Sequence, residues 1–287
     1  MTVAVAQEEI VLQAVQKAEE LGLIEPVLIG DQVRITEMAQ GFGWEVPSKC
    51  IVHEADYSLS IRRAVEMVRD GQADFVMKGK ATSADIYRVV LDREMAMRTR
   101  RHLSQVVVCE VPGLNRLILL SDASVLISPD LKQKADMCRN AIDLAHALGM
   151  NSPRLAALAA IEHVNPDIPA TVDAACLTVM NKRHQIRGAI IDGPIALDAA
   201  LAEWAAREKG FESPIAGCAD IFICPDVNAA NIMVRAAIYL AKAESGGLVL
   251  GARAPILAFS RAEPIETKIN SICLGMLMTH IKQADRL

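Results

Sequence analysis

Short aliphatic runs alternate along the chain with longer segments in which apolar residues recur every three or four positions. The short runs are typical of strands buried in a parallel sheet, and the longer segments have the spacing of amphipathic helices. This alternation predicts parallel βαβ units with right-handed crossovers, and therefore an α/β fold. The predicted strands are Val3–Ala6, Glu25–Gly30, Ile51–Glu54, Asp74–Lys78, Leu155–Ala160, Gly188–Asp192, Asp220–Cys224, Gly247–Gly251 and Pro255–Phe259.

Two of the predicted helices carry clear signals in the sequence. In the first, Ser128 is the predicted N-cap, Pro129 the first helical residue and Gly149 the C-terminal stop. The second begins near Pro264 and continues towards the end of the chain. Their apolar faces follow helical spacing, through Leu131, Ala135, Cys138, Ile142 and Ala145 in the first and through Ile265, Ile269, Ile272, Met276 and His280 in the second.

One stretch interrupts the alternation. Ser104–Val111 and Arg116–Leu120 are two strand-like runs, and the residues between them, Pro112–Asn115, have the chemistry of a hairpin turn. Antiparallel strands inside an α/β chain often mark a change of domain. We therefore predict an antiparallel hairpin near 104–120, a domain boundary near residue 100 and a second crossing near residue 252.

Composition and charge disfavour several classes of protein. Hydrophobic residues make up 52% of the chain and aromatic residues only 3%, so the core must consist of aliphatic side chains. A net charge of −5 with so few aromatic residues disfavours nucleic-acid binding. No apolar run reaches the roughly 18 residues of a membrane span, and the N-terminus lacks a signal-peptide pattern. Because the seven cysteines are scattered, we expect free thiols in a cytoplasmic protein rather than disulfides or a zinc site.

Polar segments follow several of the predicted strands. In open α/β sheets, ligands bind at the carboxyl ends of the strands, so these segments are the candidates for a functional site. They are rich in small residues and carry several cations. They are Lys78–Thr82, Asp192–Pro194, Pro225–Asn228, Ala252–Arg253 and Ser260–Arg261.

Cations are concentrated after the fourth predicted strand. Residues 78–101 include seven Lys or Arg residues and three Asp or Glu residues, in a chain that is acidic as a whole. Charge alone leaves two readings open, a solvated helix face or an anion site formed by lysines before a helix N-terminus. Ser260–Arg261 is similarly ambiguous, because Arg261 could bind an oxyanion while Ser260 could simply cap a turn. No nucleotide-binding or metalloprotease motif is present.

Several of these segments resemble the phosphate acetyltransferase and phosphate butyryltransferase family, and the KGKATSAD motif is closer to the butyryl branch. The resemblance covers essentially the whole chain. It is densest in DFVMKGKATSADIYR, DASVLISPDLKQKADMCRNAIDLAHALGM, RGAIIDGPIALDAAL, AGCADIFICPDVNAANIM and GLVLGARAPILAFSRAEPIETKINSI.

The resemblance implies a two-domain, three-layer α/β/α fold of the isocitrate/isopropylmalate dehydrogenase-like type, with mostly parallel sheets. It implies one domain of residues 1–99 plus 253–287, a second of residues 100–252, an active site in the cleft between them, and a homodimer or larger homo-oligomer. The implied reaction is acyl-CoA plus phosphate giving acyl phosphate plus CoA, with a short acyl group. Coenzyme A is then a substrate, with no metal or redox cofactor and no nucleic-acid or membrane partner.

The resemblance also suggests roles for individual residues. Ser260 and Arg261 fall on the family's Ser-Arg pair beside the reacting carbonyl and thiol. In the acetyl enzymes an Asp assigned as base follows six positions after the Arg, where this chain has Thr267. Glu266 is the neighbouring candidate base, although adjacent helical residues point about 100° apart. The candidate substrate-binding residues are Lys78, Lys80, Thr82, Arg88, Asp226 and Asn231.

Two other functions stay open from the sequence. One is a dehydrogenase of the same fold, and the other is a catalytically silent module that binds CoA or phosphate. The acyl chain also stays open, because acetyl, propionyl and butyryl groups differ by methylenes worth only about 0.8 kcal/mol each.

Overall fold

The computed structural model describes residues 1–260 and 262–284, and the chain divides into two compact units. The first unit comprises Met1–Arg101 and Gly246–Leu287, and the second comprises His102–Ser245. Within the described residues, no helix combines the length and the apolar character needed to cross a membrane.

The first unit is built on strands that are mostly parallel. Its strands are β1 (Thr2–Ala4), β2 (Val27–Gly30), β3 (Ile51–His53), β4 (Val76–Lys78), β10 (Glu244–Leu250, of which all but the first two residues belong to this unit) and β11 (Ile256–Leu257). They lie in the order β3-β2-β1-β4-β11-β10. Only the pairing of β10 with β11 is antiparallel among these described strands.

The helices of the first unit begin shortly after its strands. They are α1 (Glu9–Glu20), α2 (Gln32–Gly41), α3 (Tyr57–Arg69), α4 (Ser83–Val90) and α10 (Ile265–Ala284). At the starts of α2, α3 and α4, the side chains of Asp31, Asp56 and Thr82 accept hydrogen bonds from backbone N–H groups of the first turn. Such caps satisfy donors that have no partner within the helix, so they fix where each helix starts.

The second unit contains the predicted hairpin. Its strands are β5 (Ser104–Glu110), β6 (Leu117–Ser121), β7 (Arg154–Leu158), β8 (Ile190–Ile195) and β9 (Ile221–Ile223), in the order β5-β6-β9-β7-β8. β5 and β6 are antiparallel, and β6, β9, β7 and β8 pair in parallel. Its helices are α5 (Leu131–Ala147), α6 (Pro169–Lys182), α7 (Leu197–Leu201), α8 (Glu203–Glu208) and α9 (Val227–Tyr239).

The α/β fold, the mostly parallel pairing and the antiparallel hairpin are confirmed. The predicted division at residues 99/100 and 252/253 stays a prediction. It differs from the observed units mainly at the second crossing, because most of β10 belongs to the first unit together with its partner β11.

Two local predictions were wrong. The N-cap of α5 is Asp130 and not Ser128, because Asp130 and Gln133 form a reciprocal capping box in which each side chain accepts from the other's backbone N–H. By contrast, the predicted stop at Gly149 is confirmed, because Gly149 directly follows the C-cap of α5 and has a left-handed φ of 86°, which glycine adopts without strain. The segment Asp192–Pro194 lies inside β8 rather than beyond it, since that strand extends to Ile195.

Candidate active site

The carboxyl ends of the parallel strands in the first unit lie on one edge. β4 and β11 are neighbours there, with Met77 paired to Leu257. Lys78 ends β4, and Ala258 follows β11 at the equivalent level. The segment after β4 and the segment that leads to Ser260 therefore leave the sheet side by side, which places two of the predicted polar segments next to each other.

The backbone of the loop after β4 is fixed against the end of β1. The N–H groups of Gly79 and Lys80 donate to the carbonyls of Ala4 and Val5, both at 2.8 Å. A Cβ atom added to Gly79 would lie 2.3 Å from the Val5 carbonyl oxygen, so this position requires glycine for close approach. Lys78 is 6% exposed, whereas Lys80 is exposed at the surface. One lysine is therefore buried at the carboxyl end of β4, and the other is exposed to solvent.

A hydrogen-bond network organises the start of α4. The Thr82 backbone N–H donates to the Tyr57 hydroxyl oxygen at 2.9 Å, and that hydroxyl donates to Asp85 Oδ2 at 2.8 Å. Thr82 Oγ1 donates to the same carboxylate oxygen at 2.6 Å and accepts from the Asp85 N–H at 3.2 Å. These bonds, first from Thr82 and then from Tyr57, hold the pKa of Asp85 below its usual value. The carboxylate is therefore charged at neutral pH.

Arg88 joins this network from the next turn of α4. Its Nη1 donates to Asp85 Oδ1 at 2.6 Å, while 75% of its side chain is exposed. The structure thus connects Arg88 to the loop after β4 through Asp85. Its other guanidinium donors are largely exposed to solvent, where an anion can bind them.

The segment after β11 carries the predicted catalytic residues. Ala258 and Phe259 are buried, and Ser260 is exposed. The Glu263 N–H donates to the Ser260 carbonyl at 3.2 Å, which closes a turn before α10. Arg261 lies outside the described residues, so its predicted role stays a prediction.

Thr267, at the position of the family's Asp, and its neighbour Glu266 both lie in the first turn of α10. Thr267, at that position, is 8% exposed and packs inward. Glu266 is exposed to solvent. The two side chains therefore face different surroundings, as the helical rotation between neighbours requires, and only Glu266 is open to a ligand.

Lys268 is a charged residue that the sequence reasoning missed. It is 1% exposed, its Nζ donates to the Glu263 carbonyl at 2.6 Å, and it lies 5.7 Å from the centre of the Phe259 ring. Burial lowers its pKa, and nearby Lys78 acts in the same direction against the carboxylates of Glu263 and Glu8.

A signal for Lys268 is present in the sequence. It lies three positions after Ile265 and four before Ile272, and thus on the apolar face predicted for α10. A lysine on an apolar face is seldom fully buried without a specific reason.

The second unit positions Asp226 and Asn231 at the carboxyl edge of its own parallel strands. Asp226 follows β9 and caps α9 by accepting from the N–H groups of Asn228 and Ala229, at 2.8 and 3.0 Å. Asn231 donates through Nδ2 to the Ala123 carbonyl at 3.1 Å. Asp226 therefore fixes the start of α9, and Asn231 connects α9 to the loop after β6.

Asp122 is the buried centre of that loop, and the sequence reasoning also missed it. It is 1% exposed, and its carboxylate accepts from the N–H groups of Ser124, Val125 and Leu126 at 2.9 to 3.0 Å. Burial raises its pKa, and the backbone donors oppose that rise. Its position directly after a strand is the available signal, which the prediction of a hairpin over 104–120 does not use.

The family follows from comparison with known proteins. Residues 49–276 match the family model described as "Phosphate acetyl/butaryl transferase". The chain belongs to this family. It is 41% identical over 278 residues to a phosphate butyryltransferase of Clostridium acetobutylicum, covering 97% of this chain and 92% of that protein. It is 42% identical over 279 residues to a phosphate acetyltransferase of Thermotoga maritima, covering 96% and 93%.

Solved structures support the same assignment. A branched-chain phosphotransacylase from Enterococcus faecalis V583 is 28% identical and has a TM-score of 0.84, covering 98% of this chain and 99% of that one. A putative 4-hydroxythreonine-4-phosphate dehydrogenase from Salmonella typhimurium, 13% identical with a TM-score of 0.60 and covering 96% and 98%, shares the fold alone. As a member of the phosphate acetyl/butyryl transferase family, the chain is an acyltransferase.

Proposed function

We propose that this acyltransferase moves a short acyl group, from acetyl to butyryl, between coenzyme A and inorganic phosphate. The observation that carries the proposal is the arrangement of the loop after β4 beside the Ser260 turn, in a chain 41% identical to a phosphate butyryltransferase. A phosphate oxygen attacks the thioester carbonyl carbon, the C–S bond breaks, and CoA leaves as a thiolate that takes up a proton. The reverse reaction regenerates acyl-CoA and phosphate.

The cations at this edge hold phosphate in the proposal. Lys78 and Lys80 lie on either side of Gly79, Thr82 caps α4, and Asp85 binds both Thr82 and Arg88. Arg261 is proposed from the resemblance to reach the same anion. The partial positive charge of the α4 N-terminus acts in the same sense. Binding both substrates in one ternary complex lowers the barrier, because their translational freedom is already lost before reaction.

Charge develops on the carbonyl oxygen and on sulfur during the transfer. Ser260 is exposed at the turn after β11, where its hydroxyl can donate to either atom. In the direction that forms acyl-CoA, the CoA thiol titrates near about 8.5 and must lose its proton to become a nucleophile. Glu266 is the proposed base, because it is the exposed carboxylate beside buried Thr267.

Asp226 and Asn231 contact the substrate in the proposal through the strand ends of the second unit. The cleft between the units, the homodimer or larger oligomer, the cytoplasmic location and a reaction without metal or redox cofactor stay predictions. The proposed partners are a CoA thioester, inorganic phosphate and acyl phosphate.

A panel of acyl-CoA substrates tests the proposal. The purified protein is incubated with acetyl-, propionyl- or butyryl-CoA, with and without phosphate, and free thiol is measured. We expect phosphate-dependent release of CoA with at least one of the three. No release with any of them, together with tight binding of CoA, would favour the silent module. Protection against thermal unfolding by NAD would favour the dehydrogenase.

A further inference from the structure

The burial of Lys268 calls for a reason beyond stability. Lysine is almost never fully buried unless it is paired, and a desolvated ammonium group costs free energy that an apolar side chain of the same shape would not. Its pKa is lowered by burial, which means that the folded protein disfavours its charged form. A charged residue whose burial costs free energy is a candidate for a functional role.

The contacts of Lys268 converge on one turn. Phe259 directly precedes Ser260, and the ring of Phe259 lies 5.7 Å from the ammonium group. Glu263 ends the turn, where its N–H donates to the Ser260 carbonyl and its own carbonyl accepts from Lys268 Nζ at 2.6 Å. One buried ammonium group therefore binds both sides of the turn that presents Ser260.

The same ammonium group faces charges from the neighbouring strand ends. Glu8, after β1, and Lys78, at the end of β4, both act on it, together with Glu263 of the turn itself. Within the described residues, Glu8 Oε2 is buried and has no hydrogen-bond partner. The charged groups that act on Lys268 therefore come from the segment after β1, the end of β4 and the Ser260 turn.

We propose that Lys268 is a positioning residue for acyl transfer, and that its buried ammonium group holds the Ser260 turn in the geometry that the reaction requires. This inference rests on the proposed function and adds a residue that acts through Ser260 rather than on the substrate. It predicts that loss of the ammonium group reduces turnover more than substrate binding, because small displacements of a reacting group can cost large factors in rate.

The test is Lys268→Met, which keeps the apolar stem and removes the charge. We expect kcat to fall at least about tenfold, with the KM for phosphate changed by less than about threefold. The melting temperature should change little, since removal of a desolvated charge offsets the loss of the hydrogen bond to the Glu263 carbonyl.

The matched control is Lys134→Met in the second unit. Lys134 is also buried, at 6% exposed, and its Nζ lies 2.7 Å from Asp173 Oδ2. Removing Lys134 leaves that carboxylate without its partner, so we expect a lower melting temperature and a kcat like that of the wild type. Lys268→Met should therefore lower kcat without lowering stability, and Lys134→Met should lower stability without lowering kcat.

Two results would overturn the inference. One is a Lys268→Met protein with the kcat of the wild type, and the other is a rise in the KM for phosphate that is larger than the fall in kcat. If Lys268→Met does not fold, Phe259→Leu decides, because it removes the aromatic face but keeps an apolar side chain; a wild-type kcat there overturns the inference. An inactive wild type would instead refute the proposed function, so the two failures are distinguishable.

Discussion

The Tyr57 hydroxyl donates to Asp85 Oδ2 at 2.8 Å, across 28 positions of sequence. The same hydroxyl accepts from the Thr82 N–H, so one phenol from α3 fixes both the start of α4 and the carboxylate that binds Arg88. The geometry of the proposed phosphate site therefore depends on a residue outside the loop and helix that form it.

Tyr57→Phe should weaken phosphate binding while the protein stays folded. The change removes a hydrogen bond to a carboxylate that is partly exposed, worth about 1 kcal/mol, so the KM for phosphate should rise about fivefold. Steady-state kinetics at varied phosphate measure this. Tyr239→Phe is the control, because Tyr239 is 56% exposed on α9. An equal KM in the wild type and Tyr57→Phe would show that the network does not organise the site.

Arg88→Ala should raise the KM for phosphate at least about tenfold, because a guanidinium group bound to an oxyanion contributes a charge-assisted interaction. The melting temperature should change little, since an exposed ion pair within a helix contributes little to stability. Arg34→Ala is a matched control, because Arg34 is 68% exposed and pairs with Asp31 three positions away, at 3.4 Å. Similar kinetics in the two variants would remove Arg88 from the site.

Asp85→Asn should change how stability depends on pH. The pKa of Asp85 is lowered in the folded protein, so the unfolded chain binds its proton more readily as the pH falls. The stabilisation is present above the ordinary value of 3.8 and is lost as the pH falls through the range below it. The difference in melting temperature between the wild type and Asp85→Asn should therefore shrink from pH 6 to pH 3. A difference that is constant over this range would contradict the assigned network.

Gly79→Ala should destabilise the protein by about 1–3 kcal/mol, because its Cβ would lie 2.3 Å from the backbone carbonyl of Val5. We also expect a higher KM for phosphate, since the loop after β4 must shift. Gly41→Ala is the control, because a Cβ there meets no atom within 4 Å. Thermal unfolding that is the same for the two variants would show that the close approach at Gly79 is not required.

Glu266→Gln should lower kcat in the direction that forms acyl-CoA and flatten the acid limb of its pH–rate profile, because it removes the proposed base. Glu37→Gln, an exposed change on α2, should leave the profile as in the wild type. If Glu266→Gln retains the profile of the wild type, the thiol proton is transferred to another group.

Much of the fold was readable because its strands are buried on both faces and appear as uninterrupted aliphatic runs, such as the one that contains β11. Helix starts were harder to predict where two capping residues lie close together. Ser128 and Asp130 are both good N-caps, and only Gln133, three positions after Asp130, favours the second.

The candidate site was partly readable for a different reason. Lys78 ends a strand and Ser260 lies shortly after one, so the rule that ligands bind at the carboxyl ends of strands identifies both. Tyr57 contributes through a contact between distant parts of the sequence, and local spacing contains no signal for such a contact. Lys268 could be predicted as a charge on an apolar face, but the spacing followed from Ile265 to Ile269 passes over it.

The most direct test of the central claim is phosphorus NMR of the purified protein with butyryl-CoA and inorganic phosphate, with free thiol measured in the same sample. Acyl transfer predicts one acyl phosphate for each thiol released, and regeneration of inorganic phosphate when excess CoA is added. Thiol release without an acyl phosphate signal, or at a rate that does not depend on phosphate, would contradict the account.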